Sequence, residues 1–378
     1  MTSKAAQAIR DAATSLGALW IDPPVLQPSG LYLELAGEDL RARAYMLASD
    51  EEETFCLRPD MTAPAVRVAL ADSDWRTPFG VAYDGLVFRR QTDASKETEF
   101  RQIGIERFAR RDAIGVEESA IINAALQACA ASGVAPRMRL GDVALFEALV
   151  DGCGVAEAWA RRLKRAFARP GGLARTLKAA VSETPASDNA LGQALAGMSE
   201  ARAEAVIEEM LADARIQVVG SRTVGEIATR LREMGRVEAA PTPEASALAV
   251  IADAVALEAS PDQAFVELGK IARRVAVRDA VTLTNAIDRA AQRWAAVTDK
   301  PDATFSAGFG RGLAYYDGFV FELESHKLGQ RASLGGGGRY DGLLLRVATS
   351  EACGPGDVAL WGAIGFALRP QRLDEAAS

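Results

Sequence analysis

Polar side chains with period-two spacing stand in the stretch FRQIGIERF (100–108). If this stretch is a strand, Gln102, Gly104 and Glu106 share one face, and the two isoleucines between them point to the other. An amide and a carboxylate on either side of a glycine offer hydrogen-bonding groups with space between them, which suits the floor of a small-molecule site. The solvent-facing side of an antiparallel sheet would show the same pattern.

A cation and two phenols precede a short apolar run in RGLAYYDGFVFEL (311–323). Arg311, Tyr315 and Tyr316 could contact a polar ligand, although the tyrosines could equally be packed aromatics with hydrated hydroxyls. The pair Asp317-Gly318 predicts a two-residue hairpin turn, after which alternate apolar residues share one face.

Two further stretches carry arginine near the ends of predicted strands. In LRPDMTAP, Asp60 and Thr62 lie where a predicted strand ends and a predicted helix begins, so their polar groups would be presented at the end of the strand. An ordinary helix cap by Asp60, beside a surface-exposed Arg58, would also explain this pattern. In LVFRRQ, the side chains of Arg89 and Arg90 point to opposite faces of a predicted strand, so one of them would face a pocket or an anionic partner. Alternatively, the two charges protect an exposed strand edge from aggregation.

Four consecutive glycines occur in LGGGGRYDGLL (334–344). Because such a run costs backbone entropy, we expect another group to approach the backbone closely there. The stretch matches neither G-x-x-x-x-G-K-[ST] nor a strand-to-helix G-x-G-x-x-G, the two glycine-rich patterns that bind phosphate groups. We therefore predict a tight turn that borders a small-molecule pocket.

Composition excludes several classes of function. The chain of 378 residues has 43 Lys and Arg against 51 Asp and Glu, and its net charge of −8 disfavours general nucleic-acid binding. The basic run RRLKRAFAR is best explained as a solvated helix face. Four scattered cysteines and a single histidine, His326, predict reduced thiols and no metal site. Neither a secretory signal nor an apolar run of about 18 residues is seen, so we expect a cytoplasmic protein with no membrane contact.

The stretches with chemical potential fall in two regions, 1–142 and 300–378, where helix and strand signals alternate. The region 143–299 between them is alanine-rich and helical in pattern, with breaks such as RPGG and EAAPTPEAS. Strands at both ends with helices between them predict an α+β fold. In this fold an antiparallel sheet flanked by helices is interrupted by a helical insertion.

Segments of the chain resemble, in this order, six motifs of histidyl-tRNA synthetase, a class II aminoacyl-tRNA synthetase. WIDPPVL is similar to the family's first motif, which forms a dimer, and LRPDMT is similar to its substrate motif L-R-P-E-G-T. VFRRQ and RQIGIE resemble the strands of the second motif. RGLAYYDG and GGGGRYDGL resemble two motifs peculiar to the histidine enzyme, and AIGFALRPQRL resembles the third motif. The resemblance covers about 1–142 and 300–378 and implies the class II synthetase catalytic-core fold and a homodimer through the first-motif region.

The resemblance also implies a pocket for free histidine. The ammonium of histidine would meet carboxylates, its carboxylate would meet an arginine, and its ring N–H groups would meet a glutamate or a tyrosine hydroxyl. Asp60 replaces the family's glutamate and is one methylene shorter, which would change the affinity for histidine or the orientation in which it binds. The implied pocket residues are Asp60, Thr62, Arg89, Gln102, Glu106, Arg311, Tyr315 and Tyr316.

Departures from the family concentrate in the half of the site that would hold ATP. The second motif normally reads F-R-x-E, and here Gln91 replaces the glutamate. The following loop, QTDASKETEF, has a single lysine among three acids, although a loop that grips triphosphate should be net positive. The third motif normally reads G-L-E-R, and here Arg369 fills the position of the glycine. Ala314 replaces the aspartate of R-G-L-D-Y-Y. We expect no catalytic residue, no cofactor and a degenerate nucleotide site at Gln91, Arg369, Gln371 and Arg372.

A histidyl-tRNA synthetase core with an impaired ATP site resembles one group specifically, the regulatory subunits of ATP phosphoribosyltransferase. The chain ends six residues after Arg372, without an anticodon-binding domain, so tRNA is not an expected partner. The resemblance implies a non-catalytic subunit in a hetero-oligomer with a short-form catalytic ATP phosphoribosyltransferase. It would activate that enzyme in the first step of histidine biosynthesis and contribute to feedback inhibition by histidine, through different histidine affinities of the active and inactive assemblies.

Two other classes of function remain open at the level of sequence. A truncated histidyl-tRNA synthetase or free-standing histidine ligase would catalyse histidine-dependent exchange between ATP and pyrophosphate. A stand-alone histidine-binding sensor would bind histidine tightly without affecting any phosphoribosyltransferase.

Overall fold

The computed structural model describes residues 3–30, 32, 43–47, 55–91, 97–167, 171–181, 190–216, 223–274, 280–310, 315–329 and 332–378. Its strands, in chain order, are β1 (Leu19–Trp20), β2 (Leu26–Pro28), β3 (Tyr45–Leu47), β4 (Phe55–Leu57), β5 (Phe79–Phe88), β6 (Glu99–Arg110), β7 (Arg137–Asp142), β8 (Glu258–Ala259), β9 (Ala303–Ser306), β10 (Phe319–Ser325), β11 (Ala332–Arg339) and β12 (Trp361–Leu368). Its α-helices are α1 (Lys4–Ser15), α2 (Thr62–Asp72), α3 (Ile114–Ala131), α4 (Val143–Gly152), α5 (Glu157–Phe167), α6 (Gly172–Val181), α7 (Ala190–Ala196), α8 (Glu200–Asp213), α9 (Val224–Ala239), α10 (Ala245–Ala256), α11 (Pro261–Ala272), α12 (Ala280–Ala295), α13 (Asp341–Ser350) and α14 (Pro370–Ala377).

The described strands form one large sheet and one small one. The large sheet has nine strands in the order β1-β5-β6-β12-β11-β10-β7-β9-β8. Its neighbouring strands are antiparallel, except that β1 runs parallel to β5 and β7 runs parallel to β9. The small sheet has the antiparallel order β2-β4-β3. The predicted α+β fold, a mostly antiparallel sheet flanked by helices, is confirmed.

The two faces of the large sheet contribute to two different hydrophobic cores. Ile103 and Ile105 on β6 pack into a core with α1, α3 and the helices that follow β7. Val81 and Tyr83 on β5 pack into a second core with α2 and α13. This alternation places Gln102, Gly104 and Glu106 on the side of the second core, as the period-two spacing predicted.

Helix ends follow local signals in the sequence. The Ser3 hydroxyl accepts a hydrogen bond from the N–H of Ala6 at the start of α1, and Gly17 adopts a φ of +68° just after that helix ends. At the start of α2, Asp60 Oδ1 accepts a hydrogen bond from the N–H of Ala63 at 3.2 Å. The cap therefore fixes Asp60 at the point where β4 leads into α2.

The predicted hairpin turn at Asp317-Gly318 is wrong. Strand β10 begins at Phe319 and pairs with β7 and β11 rather than with the residues that precede it. The Asp317 carboxylate accepts hydrogen bonds from the N–H groups of Asp341 and Gly342 at the start of α13. The pair therefore anchors the N-terminus of a distant helix, a role that only the tertiary fold creates.

The glycine run forms a strand, so the predicted tight turn is also wrong. Residues 335–338 lie in β11, between β10 and β12. A Cβ atom at Gly337 would collide with the backbone carbonyl of Gly365 on β12, and one at Gly338 would lie 2.9 Å from the ring of Tyr316. A group does approach the glycine backbone closely, as the sequence predicted, but this group belongs to neighbouring parts of the same chain and not to a ligand.

Arg58 is buried, which corrects the alternative in which it is a surface residue. Its Nε donates a hydrogen bond to the carbonyl of Leu86 at 2.8 Å, and its Nη1 donates to the carbonyl of Pro23. A Cβ atom at Gly85 would collide with the guanidinium, so that glycine makes space for it. Arg58 thus connects the first-motif segment to β5.

Between 143 and 299 the described residues form helices α4–α12 and one short strand, β8. The region leaves the sheet after β7 and returns at β9, and these two strands are neighbours. In the basic run on α5, Arg161 pairs with Glu157 at 3.2 Å and Lys164 pairs with Asp151 at 2.8 Å. Domain boundaries near 142 and 300 remain a prediction. Among the residues that the structure describes, no helix is long and apolar enough to span a membrane.

Candidate functional site

A carboxylate held by two tyrosines lies at the centre of the second core. Glu106, on β6, is only 1% exposed. The Tyr83 hydroxyl donates a hydrogen bond to Glu106 Oε1 at 2.9 Å, and the Tyr340 hydroxyl donates to Oε2. Tyr83 comes from β5, 23 residues away in the sequence, whereas Tyr340 directly follows β11 and is 234 residues away. Both a neighbouring and a distant segment thus fix this carboxylate.

Burial raises the pKa of the Glu106 carboxyl to about 7, and hydrogen bonds from Tyr340, Thr62 and Tyr83 limit that rise. The nearby Asp60 carboxylate raises the pKa further. Besides burial, the hydroxyls of Tyr340, Thr62 and Tyr83 and the carboxylate of Asp60 therefore determine the pKa of Glu106. A cationic ligand beside Glu106 would favour its ionised form.

The raised pKa of Glu106 predicts a loss of stability with rising pH. Between its unfolded pKa near 4.5 and its folded pKa of about 7, the native state binds a proton that the unfolded state has released. The free energy of unfolding should therefore fall by roughly 3 kcal/mol as pH rises through this window, at about 1.4 kcal/mol per pKa unit. Urea unfolding at pH 4.5 to 8 measures the free energy of unfolding across this window. In Glu106→Gln, the part of its pH dependence that comes from Glu106 should be absent. An identical pH profile in the variant would contradict the prediction.

Glycines on the neighbouring strands make space for these side chains. Gly365 on β12 lies opposite Glu106, and a Cβ atom there would collide with the Glu106 carboxylate. Gly104 lies opposite Tyr83, and a Cβ atom there would lie 2.7 Å from the Tyr83 hydroxyl oxygen. The sequence predicted that Gly104 leaves room for a ligand, but the protein's own tyrosine occupies this space.

Three buried polar atoms near Asp60 and β6 have no hydrogen-bond partner among the described residues: Tyr32 Oη, Asp60 Oδ2 and Gln102 Oε1. Burial raises the pKa of Asp60, whereas Arg89 and the backbone N–H groups of Ala63 and Thr62 lower it. Buried acceptors without partners cost free energy, so these oxygens can stabilise a ligand that brings N–H groups.

The two tyrosines of the YYDG segment lie beside the carboxylate cluster. The ring centroids of Tyr315 and Tyr316 are 4.7 Å apart, and that of Tyr315 is 6.1 Å from the ring of Tyr340. Both side chains are buried. Of the eight predicted pocket residues, Tyr315 and Tyr316 belong to the second core, and Asp60 and Thr62 lie close enough to Glu106 to change its pKa. Gln102 shares the sheet face of Glu106, and Arg311 lies outside the described residues.

The predicted nucleotide half of the site is occupied by side chains of the chain. The Arg369 guanidinium carbon lies 4.0 Å from the ring centroid of Phe100 and that of Arg89 lies 5.2 Å away. Arg369 also forms an ion pair with Glu97, and Gln91 Nε2 donates a hydrogen bond to the Glu97 carbonyl at 3.1 Å. A base that stacked on Phe100 would have to displace an arginine.

The other two residues of the predicted nucleotide site make no such contact with Phe100. Arg372 lies 3.7 Å from Glu375, one turn further along α14, and Gln371 is exposed. Arg90 is exposed as well, while Arg89 Nε donates a hydrogen bond to the Pro59 carbonyl at 2.6 Å. Of the alternating arginines it is therefore Arg89 that turns toward the site.

Sequence reasoning missed four residues of this arrangement: Tyr32, Tyr83, Phe100 and Tyr340. Tyr340 directly follows Arg339 in the glycine-rich stretch, which had been singled out for other residues. The partner of the Tyr83 hydroxyl depends on the register between β5 and β6, which no local pattern in the sequence gives. In the described part of the chain, no group of three or more His, Cys, Asp or Glu could hold a metal ion.

The chain was compared with known protein families and with curated relatives. Residues 2–246 and 228–373 match the family model described as histidyl-tRNA synthetase. The ATP phosphoribosyltransferase regulatory subunit of Sinorhizobium fredii is 34% identical over 374 residues, which cover 96% of this chain and 93% of that protein. The regulatory subunit of Agrobacterium fabrum is 34% identical over 347 residues, with 90% of each chain covered.

Solved structures share the fold at lower identity. An ATP phosphoribosyltransferase regulatory subunit/histidyl-tRNA synthetase from Bacillus halodurans superposes with a TM-score of 0.60 at 19% identity, covering 99% of this chain and 78% of that one. Histidyl-tRNA synthetase from Nostoc gives a TM-score of 0.58 at 17% identity, covering 98% and 70%. These matches show the class II synthetase fold. The family model and the full-length relatives show more: the chain belongs to the histidyl-tRNA synthetase family and, within it, to the ATP phosphoribosyltransferase regulatory subunits.

Proposed function

We propose that this chain is a non-catalytic, cytoplasmic subunit that binds and activates a short-form catalytic ATP phosphoribosyltransferase and contributes to its inhibition by histidine. Relatives that bear the name regulatory subunit over nearly the whole chain support the partnership. The histidine biosynthesis pathway follows from the same name. Activation, feedback inhibition and the absence of independent catalysis are parts of the proposal.

The observation that carries histidine recognition is the buried cluster around Glu106. The Glu106 carboxylate is held by Tyr83 and Tyr340, and oxygens of Asp60 and Gln102 have no partner within the described part of the chain, so this buried space has an excess of acceptors. Free histidine supplies the complementary groups, an ammonium and ring N–H groups. Arg89 lies close enough to lower the pKa of Asp60, and in this proposal it contacts the ligand's carboxylate.

The proposal that ATP does not bind rests on Arg369. Its guanidinium stacks on Phe100 and pairs with Glu97, so the chain itself covers the aromatic face on which a base would stack. Gln91 contributes no negative charge and hydrogen-bonds within the same segment. We therefore expect no histidine-dependent exchange between ATP and pyrophosphate, which separates this proposal from that of a truncated synthetase or ligase.

An activity assay tests the proposed function directly. The purified chain is mixed with a short-form catalytic ATP phosphoribosyltransferase, and phosphoribosyl transfer is followed with and without histidine. Addition of the chain should raise turnover at least about tenfold, and histidine should then lower it. Turnover that does not depend on the chain would refute the regulatory assignment, and tight histidine binding without any effect on turnover would identify a stand-alone sensor.

The proposed assembly also includes a homodimer through the first-motif region. The exposed apolar side chains around this region form what we call the first-motif surface: Leu19, Trp20, Val25, Leu26, Met46, Leu47 and Leu86. Strand β1 is the outermost strand of the large sheet on this side. A second copy that covers this surface would bury both the apolar side chains and the strand edge.

A charge on the first-motif surface should separate the dimer. Leu26 is 51% exposed, and Leu26→Glu would place a carboxylate in an apolar contact on both copies because a twofold interface repeats each residue. We expect the dissociation constant to rise at least about a hundredfold in sedimentation velocity experiments. Leu360→Glu, at another exposed leucine, is the control and should leave the dimer intact. A wild-type monomer at tens of micromolar would contradict the proposal.

A further inference from the structure

A chain of buried ion pairs runs from helix α12 to the first residue of α13. Arg293 Nε lies 2.5 Å from Glu118 Oε2, and Arg293 Nη1 lies 3.0 Å from Asp142 Oδ2. Arg339 Nη1 lies 3.1 Å from the other oxygen of Glu118, and Arg339 Nη2 lies 2.8 Å from Asp341 Oδ2. Three helices and the ends of two strands therefore meet through five charged side chains.

One end of this chain of ion pairs belongs to the helices inserted between β7 and β9. Asp142 caps α4, the first of these helices, by accepting a hydrogen bond from the N–H of Leu145 at 3.1 Å. Arg293 lies on α12, the last of them. The N–H of Val143 also donates to the carbonyl of Gly318 at 2.9 Å. Arg293 on the last inserted helix thus pairs with the residue that caps the first one.

The other end reaches the carboxylate cluster. Arg339 and Asp341 flank Tyr340, whose hydroxyl donates to Glu106. The N–H groups of Asp341 and Gly342 donate to Asp317, which directly follows Tyr316. Because Tyr340 lies between two residues of the ion-pair chain, a shift of Arg339 or Asp341 moves the tyrosine that holds Glu106.

The chemistry of the ion pairs makes this connection stiff. The guanidinium of Arg293 contacts two acids through different nitrogen atoms and lies 4.5 Å from the ring centroid of Phe319. A lysine supplies the charge but not the planar fork that spans two carboxylates. Loss of one member leaves another charge buried without its partner, so the chain of ion pairs is kept or lost as a unit.

We propose that Arg293 and Arg339 are positioning residues through which the inserted helices set the placement of Tyr340 and, through it, of Glu106. A partner that shifts α12 or the start of α4 would then change the affinity of the pocket for its ligand, and the ligand would affect the helices in return. Only the identity of the ligand as histidine rests on the proposed function.

Hydrogen exchange on the chain without any ligand tests the connection. In Arg293→Met we expect amide exchange of residues 339–346 to become at least about tenfold faster, with partial recovery in Arg293→Lys. Peptides from β5 and β6 should exchange as in the wild type. Arg274→Met, which breaks an exposed pair with Asp253, is the matched control and should change nothing in 339–346. Unchanged exchange there in Arg293→Met, or equal acceleration in every peptide, would overturn the proposal.

Two additional measurements keep the test decisive. Glu118→Gln retains the side-chain shape but removes the charge shared by both arginines, so it should accelerate the same peptide if Arg293→Met does not fold. Histidine titration of Arg293→Met should give a dissociation constant at least about fivefold higher than that of the wild type. If the wild type binds no histidine while the exchange result holds, the proposed ligand is wrong and the positioning role stands. Normal histidine binding with unchanged exchange refutes the positioning role alone.

Discussion

Glu106→Gln is expected to bind histidine at least about 30-fold more weakly than the wild type. The substitution keeps the size of the side chain but removes the buried negative charge that would face an ammonium or a protonated ring. Loss of one partner from a buried charged pair costs about 2–5 kcal/mol, and each 1.4 kcal/mol corresponds to a factor of ten. Isothermal titration calorimetry at pH 7.5 measures the difference directly.

The matched control for this prediction is Glu322→Gln. Glu322 is a half-buried glutamate on β10 of the large sheet. Its carboxylate accepts a hydrogen bond from Ser333 on β11 at 2.9 Å and has no part in the tyrosine cluster. This variant should bind histidine as the wild type does. Equal affinity in Glu106→Gln and the wild type, with both proteins folded, would show that the ligand does not contact this carboxylate.

Gly365→Ala is expected to lower the free energy of unfolding by at least about 3 kcal/mol, although it adds a single methyl group. A Cβ atom at this position would collide with the Glu106 carboxylate and with the backbone carbonyl of Ile105. A side chain can rotate away, but a carbonyl in a paired strand cannot move without disturbing the sheet. Overpacking of this kind costs about 1–3 kcal/mol or more, and displacement of the buried carboxylate adds to it.

Urea unfolding of Gly365→Ala should be compared with that of Gly356→Ala. Gly356 has no heavy atom within 4 Å of the position that a Cβ would take, and its φ is not positive, so its substitution should change the stability by less than about 0.5 kcal/mol. If Gly365→Ala were as stable as Gly356→Ala, the packing of Glu106 against β12 described above would be incorrect.

Glu106→Gln and Gly365→Ala test two different properties of the same site, its charge and its packing. Glu106→Gln changes charge within an unaltered framework, whereas Gly365→Ala changes the framework that places the charge. A loss of histidine binding in both, accompanied by a loss of stability only in the second, would separate recognition from positioning. The inserted helices enter this scheme through Arg293 and Arg339, which act on the same carboxylate from a distance.

The sequence alone predicted the parts of the fold that depend on local physics. Alternation along RQIGIE determined which side chains of β6 face the site, because successive residues of a strand point to opposite faces. Gly17 and Gly133 lie just after the ends of α1 and α3 and adopt the positive φ that glycine tolerates best, so glycine is a local signal for the end of a helix. The order of the segments that resemble six family motifs indicated the α+β fold and the functional group, because that order constrains the whole chain.

What depended on partners distant in sequence was decided by the tertiary structure. Asp317 was expected to form a local turn, yet its carboxylate accepts hydrogen bonds from the start of α13, 24 and 25 positions along the chain. The four glycines were expected to form a turn beside a ligand, yet they allow β11 to lie close between β10 and β12. The partners of Glu106 and of Arg293 likewise come from segments that no local pattern connects. Periodicity and capping act over a few residues, whereas strand register and burial determine which charges meet, and only folding brings those residues together.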